Sequence, residues 1–317
     1  VTIISSESQY FFSRTALMYV YMGHMKFSDI QPYEDWFWKK NKIDLVFDHA
    51  TKINTDTRNI LLASGNSFSY DKLILATGSR SNRFGWKGQD LAGVQGLYSR
   101  QDLDLLEQNT RNISRAVIVG GGLIGIELAE MLMSRNIEVT FLVREKSFWD
   151  AVLPPEESAM VTRHILEHGV NLLMETELKE VTDDGTGRVR SVITNHGKEI
   201  ECGLVGLTVG VSPNIDIIKG TNITFGRGII VNEHLETNIP DVYAAGDCAE
   251  FEKALPYRKK IEQVWYTGRM QAEAVAKTIC GKRTMYLPGI WFNSAKFFDI
   301  EYQTYGLVNY NTDREKN

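Results

Sequence analysis

The sequence predicts an α/β fold built from two copies of one three-layer unit, each a parallel sheet with an antiparallel hairpin insert, followed by the start of a small α+β domain. Three observations carry this. Strand-like runs recur in the same order: Val1-Thr2-Ile3-Ile4-Ser5-Ser6-Glu7 reappears as Val139-Thr140-Phe141-Leu142-Val143-Arg144-Glu145, and Leu73-Ile74-Leu75-Ala76-Thr77-Gly78 as Leu204-Val205-Gly206-Leu207-Thr208-Val209-Gly210. The closing strand of each copy follows β-like segments with hairpin turn signals, Ser64-Gly65-Asn66 in the first and Asp183-Asp184-Gly185 and Asn195-His196-Gly197 in the second. In the second copy a strand, a glycine turn and a helix follow one another directly.

Composition sets the outer limits. With 317 residues, a formal charge of -5, 43% hydrophobic, 24% charged and 10% aromatic residues, the chain is neither disordered nor collagen-like, and its surface is not one that coats nucleic acid. At roughly 100 to 200 residues per domain the length accommodates two domains and part of a third. The expected divisions are 1–97 for the first part of one unit, 98–222 for the other, 223–283 for a return to the first, and 284–317 for the small domain. The apolar run at 15–23 is shorter than the roughly 20 residues that span a bilayer, so no membrane span is expected. Cys202, Cys248 and Cys280 lie far apart with no CxxC pair. No disulfide scaffold follows from them, and a reducing, cytoplasmic setting is the expectation.

Along the first copy, the chain opens on the strand-like run at Val1 without an initiator Met. Alignment with the second copy puts the first glycine turn ahead of Val1, so an N-terminal βα unit is expected to be missing from the chain as given. Tyr33, Trp36, Phe37 and Trp38 read as core packing of a helix ending at Lys39-Lys40.

The second copy reads in full. Strand Ala116-Val117-Ile118-Val119 runs into Gly120-Gly121-Gly122-Leu123-Ile124-Gly125, then a helix with apolar Ile124, Leu128, Met131 and Leu132, then the strand at Val139. This is the context of the Rossmann-like dinucleotide-binding fingerprint. Gly120 permits the tight turn, Gly122 lets the backbone approach a pyrophosphate, Gly125 lets helix pack on strand, and the helix start at Leu123 and Ile124 attracts the phosphates. At the end of the next strand, where an acidic residue would accept from an NAD ribose, stands Val143. Arg144 follows and could take the extra phosphate of NADP; Glu145 leaves open a solvated loop pair. The cofactor expected here is NAD(P).

Two further groups were weighed. His164 and His168 are four apart on a probable helix, a metal-binding spacing, but no adjacent glutamate or third ligand is evident and Gly169 reads as a helix stop, so no metal is expected. Past Arg283, Tyr286-Leu287-Pro288-Gly289-Ile290-Trp291-Phe292-Asn293 and an alternating aromatic run to Tyr305-Gly306 begin a sheet that is too short for a domain of at least roughly 50 residues.

The orphan half-unit, the complete glycine turn and the late segment Thr237-Asn238-Ile239-Pro240-Asp241-Val242-Tyr243-Ala244-Ala245-Gly246-Asp247-Cys248-Ala249-Glu250 occur in an order that resembles the FAD-dependent pyridine nucleotide-disulfide oxidoreductases of glutathione-reductase fold. The resemblance covers nearly the whole chain. It is greatest to the branch of ferredoxin and rubredoxin reductases and nitrite reductase flavoproteins, which works without a redox cysteine. It implies FAD in the first unit and NAD(P)H in the second, with Glu7 near the adenosine ribose and Arg14 near the FAD phosphates. Ala76, Thr77, Gly78 and Gly210, which close the repeated strands, are expected to bind the cofactors. Gly246 and Asp247 approach the flavin, Asp247 also being placed to cap a helix. Val264 and Trp265 open a helix against the isoalloxazine, with a core aromatic as the other reading of Trp265. Glu127 matches the glutamate beside the nicotinamide; an acidic residue in a first helical turn is also favoured by the helix dipole.

Met18 and Tyr19 stand where such proteins pair that glutamate with a Ser-Lys, so the Lys-Glu pair is missing. Ser5 through Lys42 holds no cysteine, which argues against peroxidase and disulfide-reductase chemistry. The implied activity is hydride transfer from NAD(P)H to the flavin N5, then electron transfer to a rubredoxin, ferredoxin, nitrite-reductase centre or small acceptor, without a catalytic thiol. A redox-sensing or partner-binding flavoprotein like apoptosis-inducing factor, an NADH oxidase and a flavin subunit of a larger enzyme are the alternatives. The small C-terminal domain of such proteins often mediates dimer contacts, making a homodimer the candidate assembly.

Overall fold

The computed structural model describes residues 1–150 and 152–306. The end of the expected C-terminal domain, 307–317, lies outside the described residues. The chain divides into two compact units, each of which draws on three separate stretches.

One unit comprises Val1–Phe11, Tyr33–Arg80 and Val211–Asn293. Its parallel pairing runs in three ladders: Thr2–Ser5 with Asp44–Phe47, Leu73–Leu75 with Val242–Ala244, and Ile229–Val231 with Ala249–Phe251. The hairpin insert is a three-stranded antiparallel sheet of Ala50–Asn54, Asn59–Leu62 and Ser67–Ser69, turning at Ser64-Gly65-Asn66 as the turn residues predict. Ile53, Ile60, Leu62, Leu75, Ile229 and Val242 form its core with Val275 of the helix Trp265–Ile279. Buried at its edge, Arg258 clasps Glu262 through Nε at 2.7 Å and Nη2 at 2.6 Å, with side-chain exposures of 2% and 9%. The helix carrying the aromatic cluster is Asp35–Lys40, but only Trp38 is buried; Trp36 is 55% and Tyr33 43% exposed. The core reading therefore holds for one ring of the four, because a helix of six residues buries a single narrow face.

The other unit comprises Phe12–Pro32, Ser81–Gly210 and 294–306. Its five-stranded sheet is wholly parallel, in the order Asn171–Leu173, Glu138–Leu142, Arg115–Val119, Leu204–Leu207, Val94–Gln95. Ala116, Val117, Ile118 and Val119 are all buried, as expected of a central strand covered on both faces. The hairpin insert recurs as Leu178–Asp183, Val189–Thr194 and Glu199–Glu201. One face packs the helices Arg100–Asn109 and Leu123–Met133, along with Leu17, Met18 and Tyr21 of the short helix Leu17–Tyr21. Phe297 and Phe298 join the same core from the two-stranded element Phe292–Phe297 and Ile300–Tyr305. Among the described residues no helix is long and apolar enough to cross a membrane.

Candidate functional site: two glycine-rich strand ends

In the five-stranded unit the site begins where Arg115–Val119 ends. Gly120 has φ 110°, and a Cβ there would lie 2.7 Å from the Thr208 carbonyl oxygen. Only glycine makes this turn. Thr208 Oγ1 donates to the Val119 carbonyl at 2.9 Å and holds the two strand ends together. A Cβ on Gly125 would meet Gly120 O at 2.8 Å, Thr208 Oγ1 at 2.9 Å and Phe141 Cε1 at 3.0 Å, so the helix lies on the sheet at a separation set by that glycine. Gly122 is different. Its backbone is extended, and nothing lies within 4 Å of where its Cβ would be. It is the N-cap of Leu123–Met133 and brings no side chain to cap the helix. The opening amides at Leu123 and Ile124 precede the first intrahelical bonds. Open space at Gly122 beside these amides fits a nucleotide pyrophosphate.

The base-side residues behave differently from one another. Val143 is fully buried, with Cγ1 3.0 Å from where a Gly121 Cβ would be, so it is packing under the turn. Arg144 is 73% exposed and turns onto its neighbour, donating to Glu145 Oε1 from Nη2 at 2.9 Å and Nε at 3.3 Å.

Glu127 lies in the second turn of Leu123–Met133, beyond the first-turn position that the dipole reading assumed. The residue as a whole is exposed, while its carboxyl end is crowded by protein atoms. That crowding, and secondarily the Glu130 carboxylate, push its pKa up to about 7. Glu130 in turn accepts from Lys296, whose Nζ donates at 2.7 Å.

In the other unit, parallel pairing of Leu73–Leu75 with Val242–Ala244 brings Ala76, Thr77 and Gly78 beside Ala245, Gly246 and Asp247 at the carboxyl ends of both strands. Thr77 Oγ1 donates to the Asn214 carbonyl, and Asn214 N–H returns a bond to Gly78 O at 2.9 Å. Gly246 has φ 78° and open space at its Cβ position; its N–H donates to Gln271 Oε1 at 2.7 Å. Asp247 sits inside the 3-10 turn Gly246–Cys248, where Ala245 is the N-cap, so the expected helix-capping role is not what the fold gives it. Val264 is the N-cap of Trp265–Ile279, and Trp265 is 47% exposed, which overturns its reading as a core aromatic.

The remaining predicted residues occupy local positions of their own. Glu7 is half-buried in the loop after Thr2–Ser5, its N–H directed at Ser5 Oγ. Arg14 donates to the Tyr98 carbonyl at 2.7 Å and lies 4.6 Å from that ring's centroid. Gly210 has φ 84° and accepts from Asn82 N–H at 3.0 Å. Sequence reasoning missed Thr208 and Gln271, which hold the two glycine turns. Burial alone marks them, and only in the folded chain: Thr208 is 5% and Gln271 2% exposed.

Known proteins resemble the chain in sequence and fold. The chain is 28% identical to nitrite reductase [NAD(P)H] of Bacillus subtilis over 100% of its own length and 38% of that protein. It is 29% identical to NADH-rubredoxin oxidoreductase of Clostridium acetobutylicum, over 90% of this chain and 70% of the other. A ferredoxin reductase from Rhodopseudomonas palustris superposes with a TM-score of 0.90 at 26% identity, covering 98% of this chain and 76% of that one. The sequence profile of one family matches residues 1–272, and by that match the chain belongs to the pyridine nucleotide-disulphide oxidoreductase family.

Proposed function

We propose that the chain is a FAD-dependent NAD(P)H oxidoreductase of the electron-transfer type, delivering electrons to a redox protein such as a rubredoxin or ferredoxin, to a nitrite-reductase centre, or to a small acceptor. The observation that carries this is the open position at Gly122 beside the opening amides of the helix that also bears Glu127. Gly122, Leu123 and Ile124 would hold the pyrophosphate of NAD(P)H, with Arg144 and Glu145 at the ribose. Glu127, titrating near 7, can donate or accept a hydrogen bond at the nicotinamide end. Ala76, Thr77, Gly78, Gly246 and Asp247, with Glu7 and Arg14, would hold FAD, and Val264 and Trp265 would flank it. Bound flavin supplies hydride acceptance and the onward release of electrons.

Two of the three thiols, both buried, support a route without cysteine. Burial pushes Cys202 up to about 12 and raises Cys248 as well, so both stay protonated at neutral pH. The test is anaerobic titration of the FAD-reconstituted protein with NADH and, separately, NADPH. Bleaching of the flavin absorbance by at least one nucleotide is expected; no bleaching by either would overturn the proposal.

A further inference from the structure

We propose that His164, His168 and Asp299 form a divalent-metal site of the zinc type that ties the turn at 298–299 to the helix Pro155–Glu167. The three residues offer ligand atoms that all lie within 4.8 Å of one another. The sequence spacing put two imidazoles on one helical face; the fold adds the third ligand from a position 131 residues beyond His168 in the chain. His168 Nε2 is 3.4 Å and His164 Nε2 2.5 Å from Asp299 Oδ1.

Three details mark this as more than an ion pair. His168 Nδ1 lies 2.9 Å from the His164 carbonyl oxygen. With the proton on Nδ1 this is a donated bond that leaves the Nε2 lone pair facing Asp299, the outer-shell arrangement that orients a metal-binding imidazole. Phe298 fixes the geometry from the other side: its ring stacks on His168 at 4.5 Å and 7°, while its own φ is 54°, a costly value for a bulky residue. The strained turn is held by the packing, and it presents Asp299 to the histidines. Finally, the site lies at the helix C-terminus, where the dipole favours a cation.

The donor set selects the ion. Two imidazole nitrogens and one carboxylate suit Zn²⁺, Co²⁺ or Ni²⁺ and not Mg²⁺ or Ca²⁺, which favour all-oxygen shells. Ligand distances of about 2.0–2.1 Å in a tetrahedral shell put donor atoms about 3.3 Å apart. The His168–Asp299 separation already matches this, and the His164–Asp299 contact would open on binding. Three protein ligands leave a position for water on the exposed Asp299 side.

The test uses the full chain, stripped with chelator, and a Cys280→Ser background that removes the exposed thiol. Co²⁺ is titrated by visible absorbance and Zn²⁺ by calorimetry, with Mg²⁺ as competitor. One equivalent of Co²⁺ should bind with the intense absorbance of a tetrahedral site, be displaced by Zn²⁺ and be indifferent to Mg²⁺. His168→Gln should weaken binding by about 100-fold and Asp299→Asn by about 10-fold. Zn²⁺ should raise the thermal midpoint of the parent protein and not that of His168→Gln. Asp299 is 75% exposed, so Asp299→Asn tests the site without threatening the core. Failure of the parent to saturate, or equal binding by both variants and the parent, would overturn the site and leave an ordinary histidine-aspartate ion pair.

Discussion

Lys296 Nζ lies 2.7 Å from Glu130 Oε1, one helical turn beyond Glu127 on the same helix. Burial opposes the charge on Lys296, but the Glu130 hydrogen bond and carboxylate, with Tyr19 and Glu301, raise its pKa. The cation that Tyr19 does not supply thus reaches this helix from another element, and pairs with Glu130. Lys296→Met should leave Glu130 uncompensated and move the Glu127 titration upward; Glu130→Gln should move it downward. Carbon-13 NMR titration of glutamate carboxyls would show both shifts, and a Glu127 midpoint unmoved in either variant would exclude the coupling.

The raised Glu127 pKa also makes stability depend on pH. The folded value is about 7 against an ordinary glutamate value of 4.5, so between these the folded protein binds more protons than the unfolded chain. Stability therefore falls as pH rises from 4.5 towards 7. Glu127→Gln should remove that loss, gaining about 1 kcal/mol or less at pH 8 once solvent screening is allowed for, and nothing at pH 4. Urea denaturation at the two values checks the difference.

Gly122 and Gly125 should separate binding from folding. Gly125→Ala forces a Cβ against Gly120 O, Thr208 Oγ1 and Phe141, and should cost about 1–3 kcal/mol of stability. Gly122→Ala meets nothing; it should fold normally while NAD(P)H affinity falls about tenfold or more. Denaturation and nucleotide titration, run on both variants, read the two effects independently.

Glu145 Oε1 accepts from the Arg144 guanidinium at 2.9 Å. Glu145→Ala should free it and shift preference towards NADPH by about tenfold, while Arg144→Ala shifts it towards NADH. The ratio of Kd values for the two nucleotides is the measurement.

The Arg258–Glu262 pair is nearly excluded from water. Removing one partner strands the other charge, so Arg258→Ala should cost about 3–5 kcal/mol, whereas the apolar pair Arg258→Met with Glu262→Leu should recover most of it. Urea midpoints of the single and double variants decide this.

What could be read from the sequence was local. Gly120, Gly122 and Gly125 impose their turn through backbone geometry alone, and Ser64-Gly65-Asn66 and Asn195-His196-Gly197 turn where their residue types require. Trp265 was harder, since an aromatic at the first position of a helix carries no periodicity to say which way it faces; it proves half exposed. Asp247 similarly enters a 3-10 turn instead of capping a helix. Lys296–Glu130, Gln271–Gly246 and His164–Asp299 were out of reach because each joins residues that only the folded chain brings together. No spacing rule connects position 130 to 296.

Neither unit is a continuous stretch of chain, because the backbone passes from one to the other at 11/12, 32/33, 80/81, 210/211 and 293/294. A fragment cut at 81 and 210 would keep the five-stranded sheet yet lose Phe12, Leu17, Met18, Tyr21, Phe297 and Phe298 from its core. Such a piece would expose an apolar face and aggregate. A truncation meant to isolate nucleotide recognition must therefore keep 12–32 and 294–306 beside 81–210, or it reports on misassembly instead.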